Sequence, residues 1–205
     1  MLYCAKSHWG TPTRIIYCDD DRLPERNWLQ KLVLATGKNP DDAIVSRGMI
    51  LPIDIENRRK PQCLVKKPYS FSVTIGHLKR RISHKSKELV FRKPFPRPQK
   101  RKFFGVSGYI DIAEGCGGVS VKPDFFGPDA FDIPPVVWSV DDIWLSGMLE
   151  KANIGIWVDR SVPIPFLSCA SPIEALYNFS TDEFGRYAAN DYAVRYMQDH
   201  YGIWN

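Results

Sequence analysis

The chain has 205 residues, 44% hydrophobic and 25% charged, a balance that fits a soluble globular domain and excludes a low-complexity or disordered chain. No apolar run reaches the roughly 18 residues that span a bilayer, and the first nine residues lack the apolar stretch of a signal peptide. The net charge of +5 is strongly segregated: residues 57–102 hold 16 Lys or Arg against the single acid Glu88, whereas the rest of the chain carries 12 basic and 22 acidic side chains.

Five scattered cysteines (Cys4, Cys18, Cys63, Cys116, Cys169), odd in number and without a C-x-x-C, read as reduced thiols of a cytoplasmic protein rather than as a disulfide framework or a zinc site. The four histidines are equally dispersed.

In chain order, residues 14–18, apolar after Arg14 and partly β-branched, predict a buried strand of a parallel sheet. The run continues into Asp19-Asp20-Asp21, and a helix is predicted from Leu23-Pro24 to about Val33, opened by the proline and stopped by Gly37. Ala43-Ile44-Val45-Ser46 predicts the next strand, which completes a β-α-β unit. From 57 to 102 the chain is basic and broken by five prolines, so it reads as an insert, with a short strand over 71–75. Order returns at 103–112. Glu114-Gly115-Cys116-Gly117-Gly118 then places three glycines in four residues, implying either a sharp bend or a backbone that something approaches closely. No Gly-Lys-Ser/Thr follows, which excludes a P-loop. Val140-Asp141-Asp142-Ile143-Trp144 opens a helix, Ile156-Trp157-Val158 is a strand, and Ser171-Pro172-Ile173-Glu174 has the form of a capping box. A last helix is predicted over 181–200. The pattern is α/β, with a mainly parallel sheet flanked by helices.

Two acidic groups carry the chemistry. In an extended backbone alternate side chains diverge, so Asp19 and Asp21 point one way and Asp20 the other. Two hard oxygen ligands at that spacing suit Mg²⁺ or Mn²⁺ holding a diphosphate, since ligands of open α/β sheets bind outside the carboxyl ends of strands. The competing reading is an acidic turn that caps the next helix. Asp141 and Asp142 have the same two readings, as a plain N-cap or as carboxylates held ionised by the helix dipole and aimed into a cleft.

Three passages together resemble a GT-A fold glycosyltransferase of the family-2-like bacterial type found in polysaccharide and lipopolysaccharide synthesis. Ile15-Ile16-Tyr17-Cys18-Asp19-Asp20-Asp21 with Trp28-Leu29 is similar to the family's D-x-D strand and helix. Glu114 to Val119, with Pro123 and Phe125-Phe126, is similar to its glycine-rich acceptor-side segment. Asp141-Asp142-Ile143-Trp144-Leu145-Ser146-Gly147 is similar to the acidic pair that opens its acceptor-site helix. The likeness covers roughly residues 10–165. It implies a GT-A-like domain over 1–168, with the 57–102 insert, and a helical appendage over 169–205.

The resemblance implies a metal-dependent inverting transfer of a sugar from a nucleotide-sugar to a glycan or lipid-linked acceptor. The nucleotide-sugar would meet Asp19, Asp20 and Asp21. Asp21 is the first choice for direct contact with Mn²⁺ or Mg²⁺, and Asp19 lies nearer the nucleotide or a metal-bound water. Asp142 would be the base, Asp141 its neighbour, and Gly117, Gly118 and Trp144 the acceptor contacts. The family usually has about one more β-α-β unit ahead of the D-x-D strand, so the resemblance also implies a chain lacking part of its nucleotide-binding unit, or a differently assembled pocket, and an inactive relative is a further reading. The basic segment implies peripheral contact with an anionic membrane at its inner face, or with an anionic acceptor. A nucleic-acid-binding protein is the rival from another class, weakened because carboxylates at a sheet mouth repel phosphates.

Overall fold

The structure, a computed structural model, describes residues 2–63, 65–66, 103–168 and 186–205. In chain order its elements are α1 (Leu2–Ser7), β1 (Ile15–Tyr17), β2 (Arg22–Leu23), α2 (Trp28–Lys38), β3 (Ala43–Val45), β4 (Gly48–Met49), β5 (Val65–Lys66), β6 (Phe103–Phe104), β7 (Gly108–Ile110), β8 (Ile112–Ala113), β9 (Val119–Val121), α3 (Asp141–Lys151), β10 (Ile156–Val158), β11 (Phe166–Leu167) and α4 (Arg186–Tyr201). The expected strand over 71–75, most of the basic segment and the capping box at 171–174 lie outside the described residues.

The fold is mixed α/β, and the expectation of a mainly parallel sheet is corrected. The five-stranded sheet has the order β1-β9-β3-β10-β7. Only β3 and β10 pair in parallel, with Ile44 opposite Trp157; β9 is antiparallel to both β1 and β3, and β7 is antiparallel to β10. The β1-α2-β3 unit exists, but its two strands are not neighbours, because β9 returns from far along the chain and inserts between them. A short apolar run carries no information on strand direction; the connections set it.

β3 is buried along its whole length, as a β-branched run between two covered faces should be. β1 is instead an edge strand, and its residues are half-buried. On one face of the sheet α2 lays Trp28, Leu32 and Ala35, spaced one turn apart, against Ile44 and Val162 with Ile16, Cys18 and Trp157 at the margin. The larger core on the other face holds Val45, Ile112, Val119, Val121, Phe126, Ile143, Trp144, Met148, Leu149 and Met197. There α3 packs against both β8 and α4, and every residue from Ile143 to Leu149 is buried. A helix apolar on all sides is one that is buried all round.

Helix α2 starts later than the proline suggests. Residues 22–23 pair with β11, the Trp28 N–H donates to the Glu25 carbonyl in a turn, and the helix then runs through Gly37 to Lys38. Among the described residues no helix is long and apolar enough to cross a membrane.

Candidate active site

β1 and β3 both run antiparallel to β9, so their carboxyl ends, Tyr17 and Val45, lie on the same side of the sheet. The glycine-rich segment enters β9 at that side, where Ser46 Oγ donates to the Gly117 carbonyl and the Ser46 N–H to the Gly118 carbonyl at 3.3 Å. Helix α3 is tied to the same place by two bonds: the Ala113 N–H donates to Ser146 Oγ at 2.9 Å, and the Gly115 N–H donates to Asp142 Oδ1 at 3.0 Å.

Those bonds separate the two readings of the acidic pair. Asp141 acts locally, its Oδ1 accepting the Asp142 N–H at 3.1 Å, as a helix-terminal carboxylate does. Asp142 bonds instead across to Gly115, 27 residues away in sequence. A side chain on Gly115 would begin 2.8 Å from Oδ1 of Asp19, 3.3 Å from Oδ1 of Asp142 and 3.7 Å from the Tyr17 ring. The absence of that side chain is what lets the carboxylates of Asp19 and Asp142 face a shared space.

Burial dominates the electrostatics of this space. It pushes the Asp142 carboxyl up to about 7, against the Gly115 hydrogen bond that pulls it down, and the charges of Asp141, Asp19 and Glu114 add to the rise. Asp19 is raised too, by desolvation and by Asp21, Asp141 and Asp20, with Arg22 opposing. The helix dipole, worth about 0.3–1 kcal/mol, does not overcome that desolvation, so the expectation that it keeps Asp142 fully ionised is corrected. Burial first, then the charges of Asp142, Asp141 and Asp19, hold the Tyr17 phenol protonated. The Cys116 thiol, pushed up to about 12 by burial, is no nucleophile at neutral pH.

The aspartate triplet is not extended. The Arg22 N–H donates to the Asp19 carbonyl at 3.2 Å, closing a turn through Asp20 and Asp21, so the alternation expected of Asp19, Asp20 and Asp21 does not apply. Asp20 is exposed. Asp21 lies 2.9 Å from Arg22 Nε in an ion pair whose geometry is not that of a hydrogen bond, leaving both buried atoms in Coulomb contact alone. Asp19, rather than Asp21, therefore meets Asp142. Among the described residues no group of three His, Cys, Asp or Glu sits at metal-holding separation.

The acceptor contacts expected at Gly117, Gly118 and Trp144 are corrected, because the protein's own atoms fill those places. A Cβ on Gly117 would lie 2.4 Å from Arg47 Cβ, and one on Gly118 would lie 2.2 Å from Trp28 Cζ2. Trp144 is 1% exposed, donates its indole N–H to the Ala130 carbonyl at 3.0 Å and sits edge-on to Tyr201. Gly118 also has φ of +94°. Gly118→Ala should therefore lose about 2–4 kcal/mol of stability through overpacking and backbone strain, measured by denaturant titration. Gly117 and Gly118 are thus glycines of close approach.

Sequence reasoning missed Tyr17 and Arg47. Tyr17 was read only as a strand residue, although its place two residues before Asp19 was the available signal. Arg47 pairs with Glu114 through Nε and Oε2, and the Glu114 N–H donates to the Arg47 carbonyl at 3.2 Å, which fixes the start of the glycine segment. Nothing in the spacing of 47 and 114 announces that pair. A cleft of about 430 Å³ lined by Thr11, Pro12, Thr13, Arg14, Lys122 and Asp124 lies at the opposite end of the β1–β9 pair, away from these carboxylates.

Comparison of the chain with known protein families, with curated proteins and with solved structures finds no match.

Proposed function

We propose that the chain is a metal-dependent, inverting glycosyltransferase of GT-A-like fold, moving a sugar from a nucleotide-sugar to a hydroxyl of a glycan or lipid-linked acceptor. The observation that carries the reading is the convergence of Asp19 and Asp142 on the space above Gly115, at the carboxyl ends of β1 and β3. A carboxyl with a pKa of about 7 is matched to taking a proton from a hydroxyl near neutral pH. Asp142 accepts that proton as the acceptor oxygen attacks, and Asp141, exposed beside it, receives the acceptor's neighbouring hydroxyls.

The donor set fits a hard divalent cation. Mg²⁺ and Mn²⁺ are held by one or two carboxylates together with substrate phosphates, and Asp19 is an exposed carboxylate to which no described residue donates. When bound, the ion would neutralise charge on the leaving diphosphate. Asp19 holds it in this reading; Asp21, committed to Arg22, positions the turn. The basic 57–102 segment supplies a salt-sensitive attraction for an anionic acceptor or membrane.

Calorimetry tests the assignment. Mn²⁺ with nucleoside diphosphates should bind the parent, Asp19→Asn should abolish the metal-dependent part, and Asp21→Asn should weaken it less than tenfold. Equal binding by the parent and Asp19→Asn sinks the reading.

A further inference from the structure

Helix α2 breaks the rule that α3 obeys. Trp28, Leu32 and Ala35 lie against the sheet, where the helix packs on β3 and β9. The opposite side, which a surface helix ordinarily gives to polar residues, carries Leu29, Val33 and Leu34, exposed by 54%, 52% and 61%. They are three of the eight exposed large apolar side chains among the described residues, so the exposure is concentrated on one helix and not scattered singly. At 3.6 residues per turn the three positions span about 140° of the outer surface, with Gln30 and exposed Gly37 falling between them.

The charges around this face select its occupant. α2 holds no acidic residue, and Lys31 and Lys38 lie three residues before and four residues after Leu34, on its side of the helix. From 23 to 40 the chain carries three cations, Arg26 among them, against the one acid Glu25. A second copy is a poor match, since a two-fold contact sets a patch against itself and would bring these cations together. An anionic lipid surface is complementary to them. Leucine and valine enter the boundary between headgroups and acyl chains, while lysine stems run along the apolar face and lift their ammonium groups to the phosphates. At 11 residues the helix is too short to span a bilayer but suited to lying in its interface.

We infer that the outer face of α2, Leu29, Val33 and Leu34 with Lys31 and Lys38, docks the chain on an anionic lipid bilayer, the helix lying in the headgroup plane. This contact differs in kind from the attraction supplied by the basic 57–102 segment, because buried apolar area persists when salt screens charge. It does not depend on sugar transfer. Trp28 opens the helix and fills the place beside Gly118, so the docked helix is anchored at the end of the sheet that holds Asp19 and Asp142.

Co-sedimentation of the full chain with vesicles tests the contact, using phosphatidylcholine alone and phosphatidylcholine mixed with phosphatidylglycerol. The parent should bind the mixed vesicles and keep part of that binding in high salt. Leu29→Gln, Val33→Gln and Leu34→Gln combined should weaken binding at least tenfold and remove the salt-resistant part, with the melting temperature held because all three side chains are exposed. Lys31→Gln with Lys38→Gln should weaken binding to the mixed vesicles and leave binding to phosphatidylcholine unchanged. Leu34→Trp, which adds apolar area without opening the core, should tighten binding at least twofold. Absence of vesicle binding by the parent, equal binding by the triple variant, or no gain from Leu34→Trp overturns the contact. So does a parent that self-associates without lipid while the triple variant stays monomeric, which would make the face a contact between copies.

Discussion

In the proposed transfer, Asp142→Asn should lower the chemical step by roughly 10²–10⁴-fold while donor affinity stays nearly intact, the pattern expected of a lost general base. The amide keeps the shape of the carboxylate and can still accept the Gly115 N–H, so the loop and helix stay joined. The pH dependence sharpens the result. With the carboxyl at about 7, the parental rate should climb as pH rises through 7 and level off above it. Stability should run the other way. The folded state holds a proton that the unfolded chain releases near the ordinary aspartate value of about 3.9, so stability falls as pH rises from about 4 to 7. Asn has no proton to release, so that part of the slope disappears in the variant. Turnover and melting curves across this range check both signs. A variant that transfers sugar at the parental rate moves the base to Asp141.

Trp144→Ala is expected to cost about 3–5 kcal/mol of folding stability, the range for removing a buried tryptophan. The indole lies in the larger core, and its deletion also strips the Ala130 carbonyl of a partner. Folded molecules of the variant should keep the parental acceptor KM, because the ring faces no ligand. Chemical denaturation gives the first quantity and an acceptor titration the second. A raised KM without lost stability would return Trp144 to the acceptor surface.

Trp144 shows where sequence reading succeeds and where it stops. The elements around 15–17, 43–45, 141–151 and 156–158 were legible, because β-branched runs and one-turn spacings report local geometry. Which face of α3 meets solvent was not, since a helix buried on all sides presents no polar stripe to read. The triplet Asp19-Asp20-Asp21 marked the carboxyl end of β1, but the resemblance put Asp21 first, whereas a turn closed by the Arg22 N–H sets Asp19, not Asp21, beside Asp142. Sheet order was illegible for a related reason: β9 comes between β1 and β3 through contacts more than 70 residues distant in sequence, such as Ile44 with Ser120. Gly115, Gly117 and Gly118 were noticed as a group, but only the structure separates one that leaves room for carboxylates from two that leave room for Arg47 and Trp28.

The edge position of β1 gives the site two halves of unequal permanence. Asp142 sits at the head of a helix that would be among the last parts to open, whereas Asp19 hangs from a three-residue strand paired on one side alone. Edge elements open locally at far lower free energy than buried ones. Opening of β1 alone would part the carboxylates, so the β1 amides should exchange with solvent faster than those of α3.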